Sequence, residues 1–403
     1  MAKQIDKSLQ RFLDYVRIDT QSNEDSFSVP SEAKELNLSR KIMEDLKELG
    51  IDSYLNEYGI VYGKLKGEEG LDPIGLNSHV DTALEISGKD VKPQIIENYD
   101  GGYIKLNEEY KMSPKEFPTL GNHIGDDLVV TSGDTLLGAD DKAGIAIIMA
   151  VLEYYATHKE AKHHTICFCF TPDEEIGRGP DHFDAKEFGA KYAYTVDGGV
   201  YNEVAYETFN AASATVKISG VSIHPGEAKG KLVNASTVAF AFDAALPKEK
   251  RPEFTEGYEG FNHLVSMQGQ VDHAEMHYIL RNHDASKLEE QKEEFRLAKE
   301  KVLSLFPKAS IDIEIKDSYR NMKEVIDANP IVMEKVQKAF QTLGFELVSN
   351  PIRGGTDGAT FSFKGCPTPN LGTGSYNHHG RFEYLSIDEF NKMIEIVKEI
   401  VKA

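Results

Sequence analysis

The chain has 403 residues, of which 40% are hydrophobic and 28% charged, with a formal net charge of −21 and three cysteines. That length exceeds what one core ordinarily supports, so two domains of a soluble protein are expected. The acid excess repels phosphate backbones and anionic lipid, which argues against nucleic acid and membrane surfaces as partners, and three cysteines build no disulfide framework.

Ile5, Leu9, Phe12, Leu13 and Val16 recur at helical spacing, with Lys7, Arg11, Asp14 and Arg17 among them. The pattern predicts an amphipathic first helix, not the unbroken apolar run of a secretory leader, and the cytoplasm follows as the default location. Ser31 to Leu49 suits a second helix, closed by Gly50. Pro73 to Ser78 reads as a buried strand and Ala143 to Ala156 as a helix whose most apolar part, Ala143 to Ala150, is too short to cross a bilayer. Thr165 to Phe170 is a second buried strand. Lys191 to Val196 is a third, with Ala193 and Val196 as its better apolar positions. Strands alternating with helices predict an α/β domain with a mostly parallel sheet.

From about Thr208 to Arg320 the period changes. Val216 and Ile218 alternate with polar residues, as do Ile311, Ile313 and Ile315 with Asp312, Glu314 and Lys316. Strict period-two patterning predicts an antiparallel sheet wet on one face. Two helices intervene, Ala235 to Leu246 and Ala285 to Phe306. The second is rich in charge, but Phe295, Ala298, Val302 and Leu305 give it a buried stripe, so its acidic run is a solvated face. After Asn321 the first pattern returns. Asn329 and Pro330 suit a helix start and Gly344 its end. Ser386 and Glu389 suit a capping box. An α+β module, residues 208–320, is thus inserted into an α/β domain of residues 1–207 and 321–403.

Five segments carry chemistry: Asn77-Ser78-His79-Val80-Asp81, Gly138-Ala139-Asp140-Asp141-Lys142-Ala143-Gly144, Thr171-Pro172-Asp173-Glu174-Glu175-Ile176-Gly177, Val196-Asp197-Gly198-Gly199 and Asn377-His378-His379-Gly380. Three lie just beyond the carboxyl ends of predicted parallel strands, the edge where open α/β sheets bind ligands. Imidazole and carboxylate together suit Zn²⁺, and carboxylates also suit Mn²⁺. One carboxylate can bridge two ions, each then needing one His and one further carboxylate. His79, Asp140, Asp197, Glu175 and His379 meet that inventory. Neighbouring side chains in extended backbone diverge, so Glu174 and Glu175 divide their work. One binds metal while the other takes a proton from the activated water. Asp81 is placed to orient the His79 imidazole. Single acidic pairs and glycine turns are usually only solvated turns; it is their joint placement at strand ends, with complementary ligand types, that points to a metal site. Cys167 and Cys169 read as buried structural thiols in an apolar strand, and His163-His164 as surface.

These motifs resemble the dizinc metallopeptidase superfamily that includes aminoacylase, carnosinase and carboxypeptidase G, and within it the tripeptide aminopeptidases. The resemblance runs through Gly75 to Thr82, Pro93 to Tyr99, Thr135 to Gly144, Thr171 to Gly177, His224-Pro225-Gly226 and Pro351 to Gly358, in order along nearly the whole chain. It implies a catalytic domain of zinc-peptidase fold and an inserted lid and dimerisation domain. It implies two Zn²⁺ per subunit, with Co²⁺ or Mn²⁺ as substitutes. His79 and Asp197 hold one ion, Glu175 and His379 the other, and Asp140 bridges them, next to a cis bond to Asp141. Glu174 is the general base, assisted by Asp81. His224 reaches a neighbouring subunit's site in a homodimer, and Arg281 and Arg353 bind the substrate's far carboxylate. Spacing alone does not choose between His378 and His379, and position within the family motif selects His379. The implied activity is removal of the N-terminal residue from short peptides, chiefly tripeptides. The alternatives are another amide hydrolase of the superfamily (a dipeptidase or deacylase), which the Pro351 to Gly358 segment opposes, and a non-catalytic binder, which an intact Glu174 opposes.

Overall fold

A computed structural model describes residues 6–403; Ile5, counted above in the first helix, lies outside the described residues. The chain divides into two compact units. The first comprises the residues up to Tyr206 with Glu324–Asn350 and Thr356–Ala403, and the second Glu207–Lys323 with Pro351–Gly355.

The first unit is built on a seven-stranded sheet in the order Asp52–Leu55, Val61–Leu65, Ile166–Thr171, Ile74–His79, Tyr192–Val196, Asn370–Leu371, Val204–Ala205. Its three central pairings are parallel. The flanking ones are antiparallel, because a tight connection such as the one after Leu55 permits a hairpin but no crossover. Every residue of Ile74–His79, Ile166–Thr171 and Tyr192–Val196 is buried, as expected where helices cover both faces of parallel strands. Leu76, Phe168 and Tyr194 share one core with Phe12, Ile148, Val336 and Phe390 from the surrounding helices. His79 lies in register with Thr171, and Asp197 follows the last residue of Tyr192–Val196. The carboxyl ends of the central strands therefore deliver these residues to one edge.

Several boundaries differ from the sequence reading. The second helix begins at Glu35, not Ser31. The Ser31 N–H donates to the Asp173 carboxylate at 2.9 and 3.0 Å, and Glu35 reaches back to accept from Ser31 Oγ and the Glu32 N–H. The helix Ala139–Thr157 has non-helical dihedrals at Asp140 and Asp141, and the bond between them is cis. Gly344 closes Ile331–Leu343 in the left-handed region, but Asn329 is no cap; its side chain donates to Val325 O. Ser386 Oγ caps Ile387–Val401 by accepting from the Glu389 N–H, while Glu389 turns its carboxylate to the Tyr376 hydroxyl instead of back to the cap. His163 and His164 are buried, not on the surface; their Nδ1 atoms donate to the carbonyls of His164 and Asp72 at 2.7 and 2.8 Å. Cys167 and Cys169 sit with Cys366 in an apolar cluster with Phe183, Phe188 and Phe361.

The second unit is a four-stranded antiparallel sheet in the order Phe261–Gly269, His273–Asn282, Asn210–Ser219, Ser310–Tyr319. One face, carrying Val216, Ile218, Met276 and Leu280, packs on Phe242 and Phe295 of the helices Ala235–Ala245 and Ala285–Leu305. Pro351–Gly355 joins this unit through the Ile352 N–H to Glu207 O and the Phe209 N–H to Gly354 O, at 2.8 and 3.2 Å.

Gly144 marks how closely the helix Ala139–Thr157 crosses the strand ends. A Cβ there would lie 1.9 Å from Val196 O, 2.4 Å from Asp141 Oδ1 and 2.5 Å from Ser78 Oγ. Backbone cannot yield cheaply at such distances. Gly144→Ala is therefore expected to cost at least about 1–3 kcal/mol of stability, read from the midpoint of denaturant unfolding. An unchanged midpoint would mean that the helix and strand ends stand further apart.

Candidate active site

At the carboxyl edge of the first unit's sheet, Asp140 lies between two histidines. Its Oδ1 is 3.0 Å from His79 Nε2, and its Oδ2 is 3.4 Å from His379 Nε2. Asp197 Oδ1 approaches the same His79 nitrogen at 3.7 Å, and Glu175 Oε2 approaches the same His379 nitrogen at 3.1 Å. The five residues of the sequence inventory thus meet at one place. The other nitrogen of His79 is 3.3 Å from Asp81 Oδ1 and 3.2 Å from Asp81 O. His378 stands further off. Its Nδ1 is 3.9 Å from Asp140 Oδ2, and its Nε2 pairs with Ser375 Oγ at 2.9 Å.

Asp81 does more than the sequence suggests. Its two carboxylate oxygens accept the N–H groups of Glu174 and Glu175 at 3.0 and 3.1 Å. It therefore fixes the backbone of the acidic pair as well as the imidazole. That pair is not extended, as the alternation argument assumed, but starts the short 3₁₀ turn Glu174–Ile176. Successive side chains on such a turn point about a third of a turn apart, and they still diverge. Glu175 faces His379, whereas the Glu174 side chain makes no hydrogen bond among the described residues.

Charge shapes the whole cluster. Burial disfavours the His79 imidazolium, yet hydrogen bonds to Asp140, Asp197 and Asp81 raise its pKa well above the usual value. Bonds to Asp140 and then Glu175 push His379 up to about 11. Burial opposes the charge on Asp140, but bonds from His379 and His79 hold its carboxyl well below the usual range. Glu175 rises to about 7 through burial and the Asp140 charge. Glu174 also rises, first through burial, with His79 opposing and Asp357 and Asp197 adding. Carboxylates outnumber imidazoles here, and such a site attracts cations.

The donors fit divalent metal. Glu175 Oε1 is buried without a hydrogen-bond partner among the described residues, and a cation would satisfy it. Two nitrogen–oxygen sets, His79 with Asp141 and Asp197 and His79 with Asp140 and Glu175, each bring their ligand atoms within 4.8 Å of one another, and both suit Zn²⁺. Asp141 in the first set is already engaged, accepting the N–H groups of His79 and Gly144 at 3.2 Å each. Asp140 is the carboxylate that both histidines share.

The profile of peptidase family M20/M25/M40 matches residues 137–403. The chain is 47% identical over 396 residues to Peptidase T of Clostridium perfringens (strain 13 / Type A), covering 98% of both proteins. The chain belongs to this family. Its fold is also that of an aminopeptidase, PepT, from Bacillus cereus ATCC 10987, with a TM-score of 0.77 at 23% identity over 98% of this chain and 97% of that one. A dinuclear metal-binding peptidase of the M20 family from Bacillus subtilis superposes with a TM-score of 0.64 at 15% identity, over 97% of each chain.

The remaining sequence-selected residues lie in the second unit. His224 stands exposed before the turn Pro225–Glu227 and accepts the Gly226 N–H at 3.2 Å. Arg281 is in the strand His273–Asn282, donating from one terminal nitrogen to Ala212 O and Leu280 O above the Tyr319 ring. Arg353, expected to bind the substrate's far carboxylate, has its guanidinium engaged within the protein. It donates to the carbonyls of Gly257 and Glu259 at 2.8 Å each and to Thr255 Oγ1 at 2.9 Å, over the rings of Phe209 and Phe261, and so ties residues 255–259 to the Pro351–Gly355 segment.

Sequence reasoning missed three buried carboxylates in the first unit. Asp357 accepts from Thr171 Oγ1 at 2.7 Å, beside a Gly179 whose added Cβ would lie 2.7 Å from the other Asp357 oxygen. Burial pushes it up to about 7. Its place in the Gly354-Gly355-Thr356-Asp357-Gly358 run was a usable signal. Glu35, which accepts the Asp173 N–H, and Glu383 carry no motif, and only folding reveals them.

Asp81 supplies a direct check. Asp81→Ala leaves two backbone N–H groups without their anionic acceptor. The two bonds to a charged group are worth about 1.5–3 kcal/mol each, and removing Asp81 also relieves its repulsion of Glu35, Asp173 and Asp357, so we expect a net loss of about 2–4 kcal/mol in denaturant unfolding of the metal-free protein. A loss below about 0.5 kcal/mol, the level of an ordinary surface change, would mean that these bonds do not hold the turn.

Proposed function

We propose that this chain is an aminopeptidase that removes the N-terminal residue from tripeptides, using two divalent ions. Zn²⁺ is the foremost candidate, with Co²⁺ or Mn²⁺ as substitutes. The observation that carries the reading is Asp140, whose two oxygens face two different histidines, each with its own further carboxylate. His79 and Asp197 would hold one ion, His379 and Glu175 the other, and Asp140 both. Ions bound there would supply Lewis-acid polarisation of the scissile carbonyl and of the attacking water.

The chain's own residues do the rest. Glu174 Oε accepts the proton of the attacking water and returns it to the nitrogen of the leaving amine. Asp81 holds Glu174 in place through its backbone and orients His79 through the ring. Arg281 and Arg353 bind the peptide's C-terminal carboxylate, and His224 reaches the reacting carbonyl in the neighbouring subunit's site. These roles rest on the family resemblance, and Arg353 would exchange carbonyl partners for the carboxylate.

Pairing as a homodimer through the second unit belongs to the same proposal. It is supported by the edge strand Phe261–Gly269 with Val265 exposed, and by exposed Phe240 on the covering helix. A cytoplasmic setting is supported by three free, buried thiols, which suit a reducing compartment. No helix among the described residues is long and apolar enough to cross a membrane.

Two measurements test this reading. Glu174→Gln should keep its metal content, by elemental analysis, while turnover of a tripeptide falls by at least about 10²-fold; Glu175→Gln should instead lose metal. The opposite pair of phenotypes would reverse the assignment. For substrate length, free tripeptides should be cleaved in preference to di- and tetrapeptides, and amidation of the tripeptide's C-terminus should lower kcat/KM by about 10–10³-fold, the scale of one lost charge-assisted contact. Equal cleavage of free and amidated tripeptides would refute the carboxylate anchor.

A further inference from the structure

Glu383 is 1% exposed and has no part in the inventory of ligands. Its carboxylate is nonetheless fully used by the loop that carries Asp140. Oε2 accepts the N–H groups of Leu137 and Gly138, both at 2.8 Å, and Oε1 accepts the N–H of Asp140 itself at 3.0 Å. Leu137 and Ala139 of that loop are buried in the core, but its backbone is irregular. Gly138 is in the left-handed region at φ 78°, and Asp140 and Asp141 depart from helical dihedrals before the helix proper begins. Glu383 is itself well anchored. The next residue, Tyr384, opens the short strand Tyr384–Ser386, which pairs with Leu128–Val130. Upstream, Arg381 donates to Gly133 O at 3.1 Å. His379 lies in the same short segment. One side chain thus ties the backbone that bears His379 to the backbone that bears Asp140.

We infer that Glu383 is a positioning residue that sets where the Asp140 carboxylate lies between His79 and His379, so that its loss weakens the binding of both ions together. The inference rests on the two-ion reading given above. The chemistry of the substitution makes it specific. Glu383→Gln keeps the shape, and its amide oxygen continues to accept the paired N–H groups of Leu137 and Gly138. Its NH₂ group then faces the Asp140 N–H, donor against donor, and the damage falls on the residue that both ions share. A change at a terminal ligand differs in kind. Asp197→Asn or Glu175→Gln takes the negative charge from a ligand of one ion only.

Two measurements on the full chain separate the clamp from the two-ion reading. In metal-free protein, amide hydrogen exchange of residues 137–140 should be slow in the unmodified chain and much faster in Glu383→Gln, with the Asp140 amide most affected. In Zn²⁺ titrations against a competing chelator, the unmodified chain should take up two ions. Glu383→Gln should bind both of them about 10–100-fold more weakly, the range found when a group that orients a ligand is removed; Asp197→Asn and Glu175→Gln should each weaken one. A merely structural Glu383 would lower the melting temperature but leave the affinities of the folded protein unchanged. Unchanged exchange at Asp140 overturns the clamp. Faster exchange with unchanged Zn²⁺ affinity, or loss of one ion alone, overturns its role in metal binding. An unmodified chain that binds only one Zn²⁺ overturns the two-ion reading, with the exchange result still deciding the clamp. Should Glu383→Gln not fold, Glu383→Asp retains the charge but falls one methylene short of the loop, and the same readouts apply.

Discussion

Carboxylates placed side by side repel. Two unit charges about 4 Å apart at an effective dielectric near 20 interact by about 4 kcal/mol, and the sheet edge of the first unit gathers Asp81, Asp140, Asp197, Glu174, Glu175 and Asp357. Backbone N–H groups offset part of this repulsion, although burial still raises the pKa of Asp141, Asp173, Glu35 and Glu383. Asp81 takes those of Glu174 and Glu175, and Asp141 those of His79 and Gly144. Asp173 takes that of Ser31, and Glu35 those of Glu32 and Asp173. Glu383 takes those of Leu137, Gly138 and Asp140. Peptide dipoles aimed at a carboxylate stabilise its charge without adding a mobile cation. Asp140, Asp197 and Glu175 are left with oxygens directed at imidazole nitrogens, the arrangement into which a divalent ion fits.

The same bonds explain why the loops around the site hold shape despite little regular structure. Asp173 adopts a left-handed conformation at φ 61°, and its side chain and backbone are bonded on both sides, to Ser31 and Glu35. The turn that presents Glu174 is thereby braced from the segment before the second helix as well as from Asp81. Rigid positioning of this kind is what proton transfer between fixed groups requires. In the second unit, Arg353 serves a comparable purpose with the opposite charge. Its guanidinium gathers the carbonyls of residues 255–259, so a segment distant in sequence folds as part of that unit.

The sequence by itself determined much. Burial on both faces made the runs around Leu76, Phe168 and Tyr194 recognisable as central strands, and period-two alternation around Val216 and Ile313 marked a second, one-sided sheet. The motifs singled out His79, Asp140, Glu175 and Asp197, because ligand chemistry restricts residue type and a parallel sheet presents its loops at one edge, while only position within the family motif chose His379 over His378; the five side chains do lie together. What only the tertiary structure decided is which side chains support them. Asp357 acts through the Thr171 hydroxyl, and Glu35 and Glu383 act through backbone N–H groups far away in sequence; a backbone N–H is the same at every residue except proline, so no local pattern records that partner. For the same reason the sequence could not tell that His163 and His164 are buried, or that Arg353 spends its donors on carbonyls. Periodicity reports which face is covered; it does not report which chain segment covers it.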